Sequence, residues 1–458
     1  MNEREFRALL ERGMDGVAAW EASWPGFTSD SSAAVPFDDA AAAIDALAER
    51  LRDNYPFFHP DYAGQMLKPP HPIALAAYAM TARINPNNHA LDGGPATAAL
   101  EREVIAQMAT MFGYGEEHLG HLTSSGTIAN LEALWVATRL LPGMAIAFSE
   151  HAHYTHARMC ALLGVPAIAV PVDAHGRIDM AALAAVPESA NVGTVVVTPG
   201  ATASGAVDPV HAVVDLAKRR GWRVHADAAY GGFFTIIAAQ PEARMDPTPW
   251  QALARCDSIV VDPHKHGLQP YGCGCVLFRD ADVGRLYKHD SPYTYFTSQE
   301  LHLGEISLEC SRAGASAAAL WATLRCLPLT PAGLGRVLLA TRSAALIACA
   351  TARESGTLQP VIEPELDIIS LAPVAAGSRA AASVTSARTQ SVFEALGRAK
   401  KDPLYLAVWR VSESFGRRAM PYVDWDRDEC AVLRSALMKP EHKDRAASIV
   451  RRIADALG

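Results

Sequence analysis

Short, almost continuously apolar runs alternate with segments of helical periodicity between about residues 95 and 330. We interpret six of these runs as strands, at 145–148, 167–172, 194–198, 223–227, 258–262 and 275–278. Polar residues do not alternate with apolar ones along these strands, which is typical of a sheet that helices cover on both sides. The pattern predicts an α/β domain with a mostly parallel sheet, and such sheets bind ligands beyond the carboxyl ends of their strands.

The two flanking regions show different patterns. Residues 1–60 are alanine-rich with helical spacing and end in an aromatic, proline-rich stretch, so we expect an N-terminal helical arm. Near residue 330 the alternation stops and a long Ala/Leu helix begins. Strand-like segments at 366–371 and 404–411 and a terminal helix near 442–457 follow it. We therefore predict a large domain over 61–330 and a smaller C-terminal α+β domain over 331–458.

The composition argues against several classes of protein. With 20% charged and 50% hydrophobic residues among 458, the chain is typical of a soluble globular protein. A net charge of -8 without basic runs argues against a nucleic-acid partner. The charged N-terminus lacks an apolar signal core, and the apolar run at 337–352 contains Arg342 and is short for a membrane helix. Because the cysteines are also scattered, we expect a cytoplasmic protein with no membrane partner.

Lys265 follows an apolar strand in the sequence Val-Val-Asp-Pro-His-Lys-His-Gly, residues 260–267. A lysine near a strand end is most often a solvated surface charge. In a dry cleft, however, burial and neighbouring cations lower the pKa of an amine, and a partly neutral amine forms Schiff bases with aldehydes. The residue alone leaves both interpretations open, and the second would commit the protein to pyridoxal phosphate.

Ser125, Gly126 and Thr127 stand at the start of a predicted helix, where serine and threonine are common N-caps. The same position is suited to a phosphate, because free backbone N–H groups and the helix dipole point at the anion. No lysine follows the glycine, so the motif is not a Walker loop. It favours a phosphate monoester over a nucleoside triphosphate.

Asp227 ends the apolar strand 223–227 and is followed by small residues. An aspartate here is a helix cap, a salt-bridge partner or, if buried, a group that keeps a pyridine nitrogen protonated. His151, His153 and His156 fit no pair of ligands on one helix face, so we expect no metal site. A flat imidazole stacked on an aromatic cofactor is a better use for one of them.

Residues 288–297 combine polar and aromatic side chains around Pro292, which is typical of a loop. Aromatic loops often only pack against the rest of a protein. The alternative is a loop that carries a tyrosine acid, Tyr293 or Tyr295, to the reacting atoms.

These sites occur in the order phosphate cradle, histidine, Asp227 and Lys265, an order that resembles the fold-type I pyridoxal phosphate enzymes. More narrowly, the chain resembles the group II amino-acid decarboxylases, which include glutamate, aromatic-amino-acid and tyrosine decarboxylases. The supporting stretches are residues 87–97, 152–154, 225–230, 262–265 and 308–312. The resemblance covers residues 56 to 321 or so.

The resemblance implies a role for each matching residue. Lys265 would hold the aldehyde of pyridoxal phosphate, and Asp227 would pair with its pyridine nitrogen. The remaining positions implied to contact the cofactor are Ser125, Gly126, Thr127, His153, Thr202, Ala229 and His264. The family is dimeric, and its loop tyrosine reaches the partner subunit's site. Tyr295 is favoured here, because the pair Tyr295-Phe296 resembles the family's loop.

The substrate pocket is less defined. Phe57, His59, Asn88 and His89 are expected to line it, and they suit an aromatic or polar side chain. In the family, a C-terminal strand carries the arginine that binds the substrate carboxylate. In this chain Arg410 comes a few residues late, so either the register differs or the carboxylate is held otherwise.

The expected activity is pyridoxal-phosphate-dependent decarboxylation of an aromatic or acidic L-amino acid to an amine and carbon dioxide. Three alternatives remain open at this point. They are a carbon–carbon lyase of the sphingosine-phosphate-lyase type, an aminotransferase, and a non-catalytic binding protein that kept the fold.

Overall fold

A computed structural model describes residues 1–90, 93–287 and 306–458 of the chain. The helices in these ranges are α1 Glu3–Ala22, α2 Phe37–Arg50, α3 Pro72–Ile84, α4 Pro95–Met111, α5 Gly126–Leu140, α6 Thr155–Leu163, α7 Met180–Ala184, α8 Val210–Arg220, α9 Thr248–Gln251, α10 Gly314–Cys326, α11 Gly335–Ser355, α12 Ala382–Gly397, α13 Glu413–Ala419 and α14 His442–Asp455. The strands are β1 Leu119–Thr123, β2 Ala145–Ser149, β3 Ala167–Val170, β4 Val192–Val197, β5 Arg223–Asp227, β6 Ser258–Val261, β7 Gly274–Phe278, β8 Gln359–Pro360, β9 Ile368–Ala372, β10 Ala380–Ala381, β11 Ala407–Ser412, β12 Val423–Asp424 and β13 Glu429–Ala436.

A seven-stranded sheet in the order β1-β7-β6-β5-β4-β2-β3 forms the centre of the large domain. Strands β2 to β6 pair in parallel, and β7 is antiparallel to both β6 and β1. The predicted mostly parallel sheet is confirmed, because strands β4 to β7 are buried on both faces as their apolar sequences require. The sequence pattern missed β1, whose five residues mix glycine, histidine and threonine with two leucines.

The direction of the strands determines where the site lies. Strand β1 leads through Ser125 into α5, β5 ends at Asp227, and β6 ends four residues before Lys265. Because the carboxyl ends of these strands lie at one edge of the sheet, residues that are far apart in sequence meet there.

A second, antiparallel sheet in the order β11-β13-β9-β8 forms the C-terminal part of the fold. Its apolar face packs with α11 and α14 around a separate core that includes Leu371, Leu433 and Ile449. The predicted terminal helix and the strands near 366–371 and 404–411 are present with small changes in their bounds. Strand β13 was not predicted, and it proves to carry a residue of the site.

Helix α11 is longer than the apolar run that the sequence indicates. Among the described residues, α11 is the one helix whose length and apolar composition would allow it to cross a membrane. In its most apolar window, 56% of the residues are buried inside the protein. Its Arg342 is buried as well and donates hydrogen bonds to the carbonyls of Ala243, Pro364 and Leu366.

The N-terminal arm is only partly covered by the rest of the chain. Helix α1 packs along α3, whereas α2 has no buried residue. Phe37, Ile44 and Leu47 of α2 are 83%, 64% and 52% exposed. An amphipathic helix with an uncovered apolar face is poorly stabilised by its own chain.

Candidate active site

A cavity of about 150 Å³ opens at the carboxyl edge of the large sheet. All nine residues that the sequence assigned to the cofactor line it: Ser125, Gly126, Thr127, His153, Thr202, Asp227, Ala229, His264 and Lys265. The cavity also includes residues that sequence reasoning did not single out, namely Asn130, Thr155, Thr198, Gly200, Tyr230 and Asp262. The structure therefore brings the predicted set together from five strand ends and the loops that follow them.

The helix start at Gly126 is built as an anion cradle. Ser125 is the N-cap of α5, and its hydroxyl accepts a hydrogen bond from the backbone N–H of Ile128 at 3.3 Å. The other N–H groups of the first turn have no partner inside the helix. A Cβ at Gly126 would come within 2.5 Å of the Asp262 carboxylate, so glycine alone allows this close approach.

Asp227 is buried, and it is held by His156, to which the sequence analysis gave no role of its own. His156 on α6 donates through Nε2 to the Asp227 carboxylate at 2.8 Å, and its side chain is fully buried. Burial alone would raise the pKa of Asp227, but the hydrogen bond and charge of His156 outweigh it. The pKa of Asp227 is held well below its usual range, so the carboxylate stays ionised.

A second buried histidine fixes the elements around the carboxylate. His225 on β5 contacts the Ser258 hydroxyl of β6 at 2.8 Å and Asn130 Oδ1 of α5 at 2.7 Å. Asn130 in turn donates to the carbonyl of Gly126 at 2.9 Å. Burial lowers the pKa of His225 to about 3, so the ring is neutral. This chain of hydrogen bonds ties the cradle to the two strands that carry Asp227 and Lys265.

The Lys265 side chain lines the cavity and pairs with a buried carboxylate. Its Nζ is 2.9 Å from the Asp262 carboxylate, which is itself buried. Burial lowers the pKa of Lys265, but the attraction to Asp262 and Asp227 exceeds that effect and raises it overall. His264 donates from Nδ1 to the carbonyl of Cys273 at 2.8 Å, which directs its Nε2 toward Asp262.

The three clustered histidines separate in the fold. His151 packs edge-on against Phe415, and His156 binds Asp227. His153 lines the cavity, with its Nδ1 2.8 Å from the Thr155 hydroxyl, and burial lowers its pKa. Within residues 1–90, 93–287 and 306–458, no group of three His, Cys, Asp or Glu side chains is arranged to hold a metal.

Phe57 lies in a second, larger cavity that we call the aromatic cavity. It has a volume of about 790 Å³ and is lined by Ala48, Leu51, Arg52, Asn54, Tyr55, Pro56, Phe57, Phe58, Leu67, Lys68, Pro69 and Tyr271. His59, also predicted for the substrate pocket, lines neither of these two cavities. Its Nδ1 instead accepts the backbone N–H of Asp61 at 3.1 Å.

Asn88 and His89, the other two residues predicted for the substrate pocket, are held by contacts near the start of α4. Asn88 is 1% exposed, and its amide is fully engaged with Thr97 and Glu101. His89 lies against Gly93, where a Cβ would come within 2.7 Å of its ring. Both residues shape the start of α4 and line neither cavity.

Arg410, the sequence candidate for the carboxylate-binding arginine, lies away from both cavities. Its side chain is 78% exposed on β11 and lies 3.6 Å from the Glu429 carboxylate. Side chains on successive strand positions point to opposite faces, so a small error in register moves an arginine from the site to the solvent.

The paired strand β13 supplies a buried arginine instead. Arg434 is 6% exposed, and its guanidinium donates to the carbonyls of Thr202 at 2.6 Å and Ala203 at 2.8 Å. A longer bond at 3.3 Å reaches the carbonyl of Gly64. Thr202 lines the cofactor cavity, so Arg434 lies directly behind that wall. The apolar run Cys-Ala-Val-Leu at 430–433, directly before Arg434, is the signal that would have located this strand in the sequence.

The predicted loop tyrosines, Tyr293 and Tyr295, lie outside the described residues.

The donor set of the first cavity fits pyridoxal phosphate. Gly126 and the free N–H groups of α5 suit a phosphate, and the ionised Asp227 suits a protonated pyridine nitrogen. Lys265 supplies an amine for the aldehyde, and His153 and Ala229 supply flat walls.

A mostly parallel sheet that presents this combination of groups at its carboxyl edge is typical of the fold-type I pyridoxal phosphate enzymes. The structure falls in that class. The sequence matches the pyridoxal-dependent decarboxylase conserved domain over residues 57–330. The chain therefore belongs to the pyridoxal-dependent decarboxylase family. It is a carboxy-lyase with pyridoxal phosphate as its cofactor, as its sequence predicted.

Curated relatives and solved structures agree with this membership. A probable L-tyrosine/L-aspartate decarboxylase of Methanoculleus marisnigri is 33% identical over 57% of this chain and 68% of that protein. An L-tyrosine decarboxylase of Levilactobacillus brevis is 24% identical over 73% of this chain and 71% of its own. Among solved structures, mouse CSAD has a TM-score of 0.78 at 19% identity, covering 100% of this chain and 92% of that one. Oryza sativa TDC with PLP and tryptamine has the same TM-score and identity, covering 99% and 98%. These structures share the fold.

Proposed function

We propose that this protein decarboxylates an L-amino acid with an aromatic or acidic side chain, releasing the amine and carbon dioxide. The observation that carries the proposal is the convergence of Lys265, the ionised Asp227 and the Gly126 cradle in one cavity. The decarboxylases of M. marisnigri and L. brevis, named for tyrosine or aspartate, support an amino acid as the substrate.

The chemistry that pyridoxal phosphate supplies when bound is an electron-poor ring, which accepts the electron pair of the bond to the departing carboxylate. The residues of this chain bind and orient the reactants around it. Lys265 would hold the cofactor through its side-chain amine, at the position that the substrate amine must reach. Asp227 keeps a proton on the pyridine nitrogen, and the buried His156 keeps Asp227 ionised. Ser125 and Thr127 hold the phosphate.

The direct test is to incubate the purified holoenzyme with single amino acids and to measure both carbon dioxide and amine. Lys265→Ala is the matched control, and it should lose turnover and the visible absorbance of the bound cofactor. Equal release of the two products from an aromatic or acidic amino acid supports the proposal. Turnover and absorbance that survive in Lys265→Ala would contradict the assignment of this lysine.

We assign to Arg434 the role of orienting the substrate carboxylate, which the sequence had given to Arg410. A guanidinium has five N–H donors, and the described contacts of Arg434 use three of them. Arg434→Met should raise KM for the amino acid tenfold or more, while inhibition by the amine product, which lacks the carboxylate, stays unchanged. Arg410→Met is the exposed control and should leave both values within about twofold. Equal weakening of amine and amino acid in Arg434→Met would mean that Arg434 supports only the fold.

Tyr295 remains our proposal for the acid that protonates the α-carbon after carbon dioxide leaves, on the resemblance of its sequence context. Tyr295→Phe should reduce amine formation and permit oxidative side reactions, with Tyr293→Phe as the control. Unaffected amine formation in Tyr295→Phe would exclude this role.

We propose further that the protein is a homodimer. The uncovered apolar face of α2, with Phe37, Ile44 and Leu47, supports a partner that buries it. Ile44→Asp should shift the sedimentation coefficient toward that of a monomer, because a charge would have to be desolvated in the interface. Leu162→Asp, at a single exposed leucine on α6, is the control. A monomeric wild-type protein at micromolar concentration would contradict the proposal.

A further inference from the structure

Asp367 is a fully buried carboxylate behind the cofactor cavity. It stands directly before β9 and is 0% exposed. The Tyr230 hydroxyl donates to its Oδ1 at 2.5 Å, and His266 Nε2 lies 3.4 Å from its Oδ2. Tyr230 lines the cofactor cavity, and His266 follows Lys265 in the chain. Asp367 therefore reaches the back of that cavity from the C-terminal part of the fold.

The contacts of Asp367 suit an ionised carboxylate. Its bond from Tyr230 is as short as bonds from hydroxyls to charged oxygens are. Burial raises the pKa of Asp367, while the hydrogen bond from Tyr230 and the charge of Lys68 oppose that effect. His266 adds no charge, because burial holds its pKa well below the usual range. Asp367 is therefore a negative charge close to the wall of the site.

Two cations, Arg434 and Lys68, are close enough to Asp367 to be affected by its charge. Burial lowers the pKa of both, to about 8 for Lys68, and the charge of Asp367 opposes the effect in each case. Arg434 donates to backbone carbonyls, and it forms no salt bridge within residues 1–90, 93–287 and 306–458. The strand that carries Arg434 pairs with β9, and the N–H of Leu437 just beyond it donates to the Asp367 carbonyl at 2.8 Å. Asp367 thus offsets part of the charge of Arg434 without a direct ion pair.

A cation that holds the substrate carboxylate has two opposite effects on decarboxylation. It strengthens substrate binding, but the negative charge leaves the carboxylate as carbon dioxide departs. Attraction that is stronger in the bound substrate than in the transition state lowers KM and kcat together and leaves kcat/KM unchanged. An anion close to the cation reduces this attraction.

We propose that Asp367 is a positioning residue that reduces the attraction of Arg434 for the substrate carboxylate, so that the carboxylate is oriented but can leave. Asp367 acts through Arg434 and lines neither of the two cavities. The inference rests on the proposed decarboxylase function and on the role assigned there to Arg434.

Asp367→Asn removes the charge and keeps the shape and an acceptor for Tyr230. With L-tyrosine and L-aspartate as probes, we expect KM and kcat of the holoenzyme to fall together by about fivefold, as for residues coupled in one buried network. Inhibition by the corresponding amine, which lacks the α-carboxylate, should stay unchanged. Loss of a merely structural residue would not tighten substrate binding. A raised or unchanged KM in Asp367→Asn would overturn the proposal.

Lys68→Met changes the same balance in the opposite direction. Without Lys68, Asp367 offsets more of the charge of Arg434, so KM relative to amine inhibition should rise about threefold. Thr341→Val is the matched control, because the Thr341 side chain hydrogen-bonds Asp367 without carrying a charge. It should leave KM within about twofold. A fall in that ratio in Lys68→Met would contradict the electrostatic role, even if Asp367→Asn does not fold.

A double-mutant cycle tests whether Asp367 acts through Arg434. In the Arg434→Met background the cation is absent, so adding Asp367→Asn should change KM by less than about twofold. A fivefold fall in KM that persists in this background would show that Asp367 acts by another route.

A binding measurement separates this inference from the proposed function. Calorimetry of the holoenzyme with 3-phenylpropanoate and succinate, two carboxylates without an amine, needs no turnover. A probe that binds the wild type should bind about fivefold more tightly to Asp367→Asn, and this difference should vanish in the Arg434→Met background. If no amino acid is decarboxylated but this pattern holds, the proposed function fails and the role of Asp367 stands. If decarboxylation occurs but Asp367→Asn and the wild type bind the probes equally, the role of Asp367 is refuted and the function stands.

Discussion

Replacing His156 with leucine should make cofactor binding depend strongly on pH. In the wild type, Asp227 is buried, yet His156 Nε2 at 2.8 Å keeps its pKa well below the usual range. Asp208 shows what burial does in this protein without such a partner. It accepts hydrogen bonds only from the backbone N–H groups of Ile178 and Thr198, and burial raises its pKa to about 7.

The difference in pKa between these two aspartates gives the expected size of the pKa shift of Asp227 in His156→Leu. Without His156, the pKa of Asp227 should move from below 3.8 toward the value near 7 of Asp208. A shift of about three pKa units corresponds to about 4 kcal/mol of lost preference for the ionised form. Asp227 would then remain ionised at pH 8 and become largely protonated at pH 6, where it no longer binds a protonated pyridine nitrogen.

The assay is the dissociation constant of pyridoxal phosphate at several pH values, followed by the visible absorbance of the bound cofactor. In His156→Leu the constant should rise about tenfold between pH 8 and pH 6, whereas in the wild type it should change less than threefold. His156→Gln keeps a neutral N–H donor of similar reach and should lie between the two. A flat profile in His156→Leu would show that His156 does not control the ionisation of Asp227.

Two further predictions concern buried contacts around the site. Gly126→Ala places a Cβ within 2.5 Å of Asp262, so the carboxylate must move. We expect cofactor binding to weaken by about 1–3 kcal/mol in the same absorbance titration. Unchanged binding would contradict the close contact. Glu132 lies with its Oε2 2.9 Å from His121 Nε2, and burial raises its pKa from 4.5 to about 8. Protonated Glu132 therefore stabilises the fold fully below about pH 4.5, and this stabilisation is lost as the pH rises through 8. The free energy of unfolding, measured in urea, should fall by about 3 kcal/mol between pH 5 and pH 8 relative to that of Glu132→Gln. Parallel pH profiles for the two proteins would exclude that titration.

Ser125, Asp227 and Lys265 were predictable as site candidates because they occur in local motifs tied to strand ends, and the family resemblance supplied the remaining cofactor positions. Ser125 begins a helix, Asp227 ends an apolar strand, and Lys265 follows another. Once the strands are parallel, their carboxyl ends meet without any further information. These three residues and the six that the resemblance implied all line one cavity.

Residues that hold the site in place were not predictable in the same way. His156 is separated from Asp227 by 71 positions, and no periodicity indicates that α6 brings them together. Asn88 resembled a pocket residue in the sequence, whereas the packing of α4 engages its amide with Thr97 and Glu101. Such contacts depend on how helices pack on the sheet, which a local pattern does not specify.

By itself, therefore, the sequence determined the class of fold and, through its resemblance to a known family, the cofactor and the candidate residues that line its cavity, because those features depend on local apolar patterns and short motifs. Only the tertiary structure decided which arginine lies behind the site, since strand pairing leaves Arg410 in solvent and buries Arg434. It alone also gathered Tyr55, Phe57 and Lys68 into the lining of the aromatic cavity. The physical reason is the same in both cases: burial and neighbouring groups, which give a side chain its chemistry, arise from contacts between residues far apart in the chain.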